Sequence, residues 1–226
     1  MNRALSKLGV LSRAQATDAI RAGRVRVGGR VVRDPLRPVV PERARIVIDG
    51  ESQRKAAWRT ILFHKPRGVV TTRSDPEGRR TIYDVIGDQA QGLIAVGRLD
   101  LATSGILLLT NDTQLANWIT DPASGVSRLY AVSVRGRVTP TELERVPPVV
   151  TLQKASGRES HLMVELREGR NREVRRLFET IGHAVTRLKR VKLGGLEIGE
   201  LAPGQWRDVS AIEATRAFPG ARGRGV

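Results

Sequence analysis

From residue 61 onward apolar side chains come in short runs broken by Gly, Pro and Asp, the pattern of buried strands joined by turns. Strands are predicted at 61–65 (ILFHK), 93–97 (LIAVG), 105–110 (GILLLT), 129–134 (LYAVSV), 161–166 (HLMVEL) and 184–193 (AVTRLKRVKL). Helical spacing predicts helices at 112–119, 140–145 and 171–181. In the last of these Val174, Leu177, Phe178 and Ile181 fall at i, i+3, i+4 and i+7, a buried stripe that Gly182 closes. The second opens with Thr139, Pro140 and Glu142 at the cap, first-helical and third-helical positions. The expected fold is α+β, with flanking helices on a mostly antiparallel mixed sheet over residues 61–212. No internal repeat is visible.

Residues 1–48 follow a different pattern. Ser12 and Gln15 form a capping-box pair and Gly23 stands at a C-cap position, so a short helix is predicted at 13–22. RVRVGGRVV then alternates, with Val25 and Val27 on one face and Arg24 and Arg26 on the other. Gly28 and Gly29 supply the positive φ angles of a tight hairpin. The polar, aperiodic stretch 49–60 reads as a linker, with Trp58 anchoring its end. Residues 213–226 have the composition of a disordered basic tail.

Charge sharpens the picture. Lys and Arg number 39 against 23 Asp and Glu, a formal excess of +16, which points to a polyanionic partner. A membrane is disfavoured, because the longest aliphatic run is Ile106–Leu109 and the start of the chain lacks a signal-peptide core. The expectation is a cytoplasmic protein. There is no cysteine, and His64, His161 and His183 are scattered without ligand spacing, so structural histidines and no metal site are expected. Aromatic residues make up only 4% of the chain, too few for a multi-ring stacking platform. Residues 1–50 hold 11 Lys or Arg against 4 Asp or Glu. The clustering of Arg3, Lys7, Arg13 and Arg21 on the helices with Arg24, Arg26 and Arg30 on the hairpin reads as a nucleic-acid footprint. LSRAQATDAIRAGRVRVGGRVV resembles the S-four-like (alpha-L) RNA-binding domain.

One carboxylate stands out against this background. In GRLDLATSGILLLTND, Asp100 sits in a connection between two buried runs, where a rigid scaffold can hold it for chemistry. The plain alternative is an Asx turn, which local sequence favours. A second anomaly lies at the helix 171–181. Arg170, Arg172, Arg175 and Arg176 crowd its first turns, where the macrodipole disfavours cations by about 0.3–1 kcal/mol each. RNA phosphate or a carboxylate such as Asp100 can compensate; a solvated face paired with Glu173 and Glu179 is the competing reading.

Three segments together decide between these readings: GRLDLATSGILLLTND, FHKPRGVVTTRSDPEGRRTIYDVI and EGRNREVRRLFETIG. They resemble the bacterial ribosomal-RNA pseudouridine synthases of the RsuA/RluB type, from residue 1 to about 210 and in the same domain order. The resemblance implies that Asp100 is the catalytic aspartate, that Arg175 is the basic residue paired with it, and that Arg98 positions RNA. It further implies that Tyr130 stacks on the target uracil. A Lys commonly stands two residues before this tyrosine, where this chain has Arg128. With Leu99 and Leu101 burying Asp100, an adjacent guanidinium would keep it charged.

The implied reaction isomerises a uridine of ribosomal RNA to pseudouridine and needs no cofactor. Large-subunit RNA is favoured by GRNREVRRLFETIG followed by VTRLKRV. The expected partner is ribosomal RNA or an assembly intermediate, bound by a monomer, with Arg170, Arg172 and Arg176 adding to the RNA contacts. A non-catalytic RNA-binding or ribosome-assembly factor is the second reading, disfavoured by the presence of both Asp100 and Tyr130. A methyltransferase is the third, disfavoured because no GxGxxG occurs.

Overall fold

The computed structural model describes residues 1–8, 10–11, 13–40, 44–53, 57–147 and 150–223; the side chain of Lys7 is outside the description. Ser12, the predicted cap, and the Lys7 side chain, a predicted RNA contact, therefore lie outside the described residues.

The first unit comprises α1 (Asn2–Lys7), α2 (Arg13–Arg21), β1 (Val25–Val27), β2 (Arg30–Val31), β3 (Ile46–Ile48) and β4 (Glu51–Gln53). Its strands form an antiparallel sheet in the order β2-β1-β3-β4. Leu5, Ala16 and Ile20 from the helices and Val25 and Ile46 from the sheet are wholly buried in one core. Gly28 and Gly29 have φ of 56° and 83°, as the predicted hairpin requires. Residues 51–53 pair with β3, so the first part of the predicted linker is instead an edge strand of this sheet.

The second unit follows as β5 (Thr60–Lys65), α3 (Ile82–Ile86), β6 (Ile94–Ala95), β7 (Ser104–Thr110), α4 (Thr113–Thr120), β8 (Arg128–Arg135), α5 (Pro140–Leu143), β9 (Val150–Ala155), β10 (Glu159–Leu166), α6 (Glu173–Glu179), β11 (Val185–Leu193), β12 (Leu196–Glu197), β13 (Trp206–Asp208) and α7 (Ala211–Ala217). Seven strands run β13-β5-β7-β11-β8-β10-β9, with β6 beside β7 and β12 beside β11. Among the described strands β7 and β11 pair in parallel and the other pairs are antiparallel, so the mixed, mostly antiparallel sheet matches the expectation from pattern. β5 is buried at every position, which is why its sequence shows a run rather than an alternation.

Several elements differ from expectation. The 93–97 strand shrinks to Ile94–Ala95, because Gly97 at φ 71° turns the chain out of the sheet. The 171–181 helix begins at Glu173, where Arg172 in the left-handed region (φ 51°) breaks the helical path and the Glu173 carboxylate accepts from the Arg170 amide at 3.1 Å. The predicted disordered tail is corrected over its first part. Ser210 caps α7, Ala214 and Ala217 are buried, and Phe218 is 1% exposed in the core beside Leu193 and Leu196. Among the described residues no helix is long and apolar enough to cross a membrane, and no acidic–histidine cluster has the makings of a metal site.

Candidate active site

The loop from β6 to β7 carries Asp100, and a neighbouring segment holds it in place. Lys65, at the end of β5 and 0% exposed, donates from Nζ to the carbonyls of Pro66 (3.0 Å), Asp100 (3.1 Å) and Thr103 (2.8 Å). The Thr103 amide donates to the Asp100 carbonyl at 3.0 Å, closing a turn. Thr71 Oγ1 donates to the Leu99 carbonyl at 2.8 Å, and the Gly68 amide to that of Leu101, also at 2.8 Å. Each bond from a charged donor is worth about 1.5–3 kcal/mol, so the backbone around Asp100 is rigid before any substrate arrives. Burial pushes the Lys65 ammonium down from 10.5 to about 8, and the Asp100 carboxylate pulls it part of the way back.

At the far end of the loop, Gly105 has φ 112°, and a Cβ there would lie 2.2 Å from the Arg190 carbonyl oxygen. Only glycine lets β7 and β11 approach this closely. Strand β11 is in turn paired with β8 so that Arg190 and Tyr130 are direct partners. Asp100 and Tyr130 are thereby brought to one cleft of about 480 Å³, within the range of roughly 300–1,000 Å³ common for ligand sites.

Arg98, Arg170 and Arg172 are exposed on the rim of that cleft, and Arg128 and Arg190 are buried in its wall. Arg128 fills its fork with backbone carbonyls: Nη1 donates to Val126 (2.7 Å) and Arg167 (2.9 Å), and Nη2 to Ile119 (2.8 Å). It thus ties the end of α4 and the arginine-rich 167–172 loop to the strand bearing Tyr130. A lysine has a single nitrogen and lacks the planar fork that spreads these bonds over two. Burial first, and the neighbouring Arg190 second, push its guanidinium below the ordinary arginine value.

Two expectations about Asp100 are corrected. The carboxylate is not buried in hydrocarbon: Asp100 is exposed and Leu101 is 40% exposed, leaving Leu99 as the buried member of the pair. Arg175 is not its direct ion-pair partner among the described residues. Its Nη1 donates to the Val185 carbonyl at 3.2 Å, and its Nε is buried without a partner. Burial and then Arg172 push Arg175 below the ordinary arginine value, and the Asp100 charge opposes them, so the two groups feel each other through space. The Arg175 guanidinium is instead tied to the first residue of β11.

Arg176 turns back onto the Asn171 carbonyl, away from the cleft-lining set. Arg3, Arg13, Arg21, Arg26 and Arg30 are exposed on the first unit and are not part of the cleft, whereas Arg24 is engaged by Asp49. The scattered histidines all have structural partners: Leu201 for His64, Ser133 for His161, Arg135 and Glu142 for His183. Lys65 and Arg190 went unnoticed in sequence. Both are charged residues at the ends or middles of apolar runs, and that burial of charge was the available signal.

Comparison with known proteins agrees with this geometry. The family model described as RNA pseudouridylate synthase matches residues 59–180, and that of the S4 domain matches residues 2–43. An RNA pseudouridine synthase of Aquifex aeolicus, itself uncharacterised, is 35% identical over 96% of this chain and 93% of its own length. A protein named ribosomal large subunit pseudouridine synthase B from Escherichia coli K12 is 39% identical over 94% of this chain and 80% of its own length. The Pseudomonas aeruginosa protein of that name is 40% identical over 94% of this chain and 60% of its own. A crystal structure of a pseudouridylate synthase superposes with TM-score 0.65 at 26% identity, covering 96% of this chain and 98% of that one. With the Asp100 loop, the facing tyrosine and the arginine-rimmed cleft in hand, the chain belongs to the RNA pseudouridylate synthase family.

Proposed function

We propose that this chain converts a uridine of ribosomal RNA, in the large subunit, to pseudouridine. The observation that carries the reading is that Asp100 and Tyr130 share one cleft whose rim is set with Arg98, Arg170 and Arg172. The relatives named as large-subunit enzymes favour that RNA over the small-subunit one. The target base must leave its stack to reach such a cleft, at a cost of a few kcal/mol that contacts to the flipped nucleotide and backbone offset. The C1′–N1 bond then breaks, the base turns, and C5 bonds to C1′ while its proton leaves and N1 gains one. Asp100 serves this reaction by adding to C1′ or to C6, or by taking the 2′ proton. Tyr130 supplies a stacking face worth about 1–3 kcal/mol. Arg175 sets the local field, and Arg98 steers the RNA. The exposed arginines of residues 1–50 extend the footprint by sequence-independent phosphate contacts.

Mapping pseudouridines in ribosomal RNA from cells lacking the gene tests this reading. Loss of modification at a large-subunit position is expected. A map identical to that of the parent strain contradicts enzymatic function and leaves the RNA-binding factor.

A further inference from the structure

Arg190 lies in mid-β11, paired with Tyr130 on one side and abutting Gly105 on the other, in the wall of the cleft that holds Asp100. Only 4% of it is exposed, and its Nε donates to the Ile106 carbonyl at 2.9 Å. Its Nη2 is buried with no hydrogen-bond partner. An unmet buried donor is costly, more so on a charged group, and folded proteins keep few of them. A second buried guanidinium, Arg128, stands within Coulombic reach and repels it. Among the described residues neither is in a direct ion pair with a carboxylate, and Glu173 and Tyr130 act on Arg128 only through space. Both Nη nitrogens of Arg128 are engaged by backbone carbonyls, whereas Nη2 of Arg190 has no partner at all.

We propose that Arg190 binds the target uracil and stabilises the negative charge the base takes up as it leaves the ribose. The inference rests on the isomerase reading above. When C1′–N1 breaks, its electron pair goes to the base and spreads from N1 onto the carbonyl oxygens. An anionic oxygen is then created beside the stacking tyrosine, where a preorganised buried donor acts most strongly. Backbone phosphates are matched by the exposed rim arginines Arg98, Arg170 and Arg172, whereas Arg190 lines the interior of the same cleft. The charge is returned when C5 bonds to C1′ and the C5 proton departs.

The test uses full-length protein with large-subunit ribosomal RNA transcribed with uridine or with 5-fluorouridine, whose fluorine stabilises the departing base by itself. Single-turnover consumption of the target nucleotide is read by chromatographic separation of the nucleosides after digestion, alongside RNA affinity as a function of salt. Wild-type turnover on uridine RNA is the control for the isomerase reading; its absence overturns both readings. Given that control, Arg190→Gln is expected to slow the uridine reaction about 100-fold. RNA affinity should change less than about three-fold with the same salt slope, and the 5-fluorouridine reaction should lose at least about five-fold less than the uridine reaction. Arg190→Lys, which keeps charge but not the fork, should recover part of the rate, and it carries the same comparison if Arg190→Gln fails to fold. Equal losses on both RNAs signify a structural role and overturn the proposal. So does an affinity loss with a salt slope reduced by about 0.7–0.9, the mark of a phosphate contact.

Discussion

Lys65 is the side chain on which the position of Asp100 depends most. Three carbonyls converge on its ammonium, and Lys65→Met leaves them buried and unmet, so a loss of about 3 kcal/mol in denaturant unfolding is expected together with loss of turnover. Its titration separates stability from activity. The folded chain gives up this proton near 8 and the unfolded chain near 10.5, so between those values the unfolded state binds more protons and this group's contribution to stability rises with pH. Activity moves the other way, because a neutral amine has fewer N–H donors for the same carbonyls. The rate is expected to fall through about pH 8 while thermal stability does not fall from this cause; a rate profile flat to about pH 9.5 would contradict it. Sequence showed Asp100 as an acid set between an arginine and aliphatic side chains, but only the family pattern gave it a role. Lys65 read as the end of a strand, since nothing local in HK reveals that three carbonyls from residues 66 to 103 will meet there.

At the scale of elements, the close pairing of β7 with β11 aligns the site. Gly105→Ala places a methyl carbon 2.2 Å from the Arg190 oxygen on a backbone with φ 112°, and about 3 kcal/mol or more of destabilisation is expected by thermal or urea unfolding. Gly157→Ala is the matched control: nothing lies within 4 Å of its Cβ position, so a change within about 0.5 kcal/mol is expected. A mild effect at Gly105 would contradict the tight β7–β11 contact. Strands and capped helices were legible because pattern and burial agree in β5, β7 and β8, and because Thr139 and Glu142 form the capping box their spacing announces. The tail was misread because Gly and Arg are prominent in its composition, while its order comes from Phe218 seating over Gly194 and Ala217 over Gly195, contacts close in space. The short helix α3 was also missed, although Thr81 and Asp84 make a capping box.

For the whole molecule, the +16 charge is divided between a cleft rim and a separate small unit with its own core, so affinity and chemistry should be separable. Replacing Arg13, Arg21 and Arg26 together by Gln is expected to lower the slope of log affinity against log salt by about 2, for three lost phosphate contacts, with little change in the rate once RNA is bound. An unchanged slope would remove the first unit from the footprint. The central claim, that a carboxylate held by the Lys65 clamp performs the chemistry, is tested most directly by Asp100→Asn in a tritium-release assay on C5-labelled ribosomal RNA. Asn removes the charge and almost no volume, so release should vanish while RNA binding stays within a few-fold of wild type. Tritium release at the wild-type rate from Asp100→Asn would contradict it.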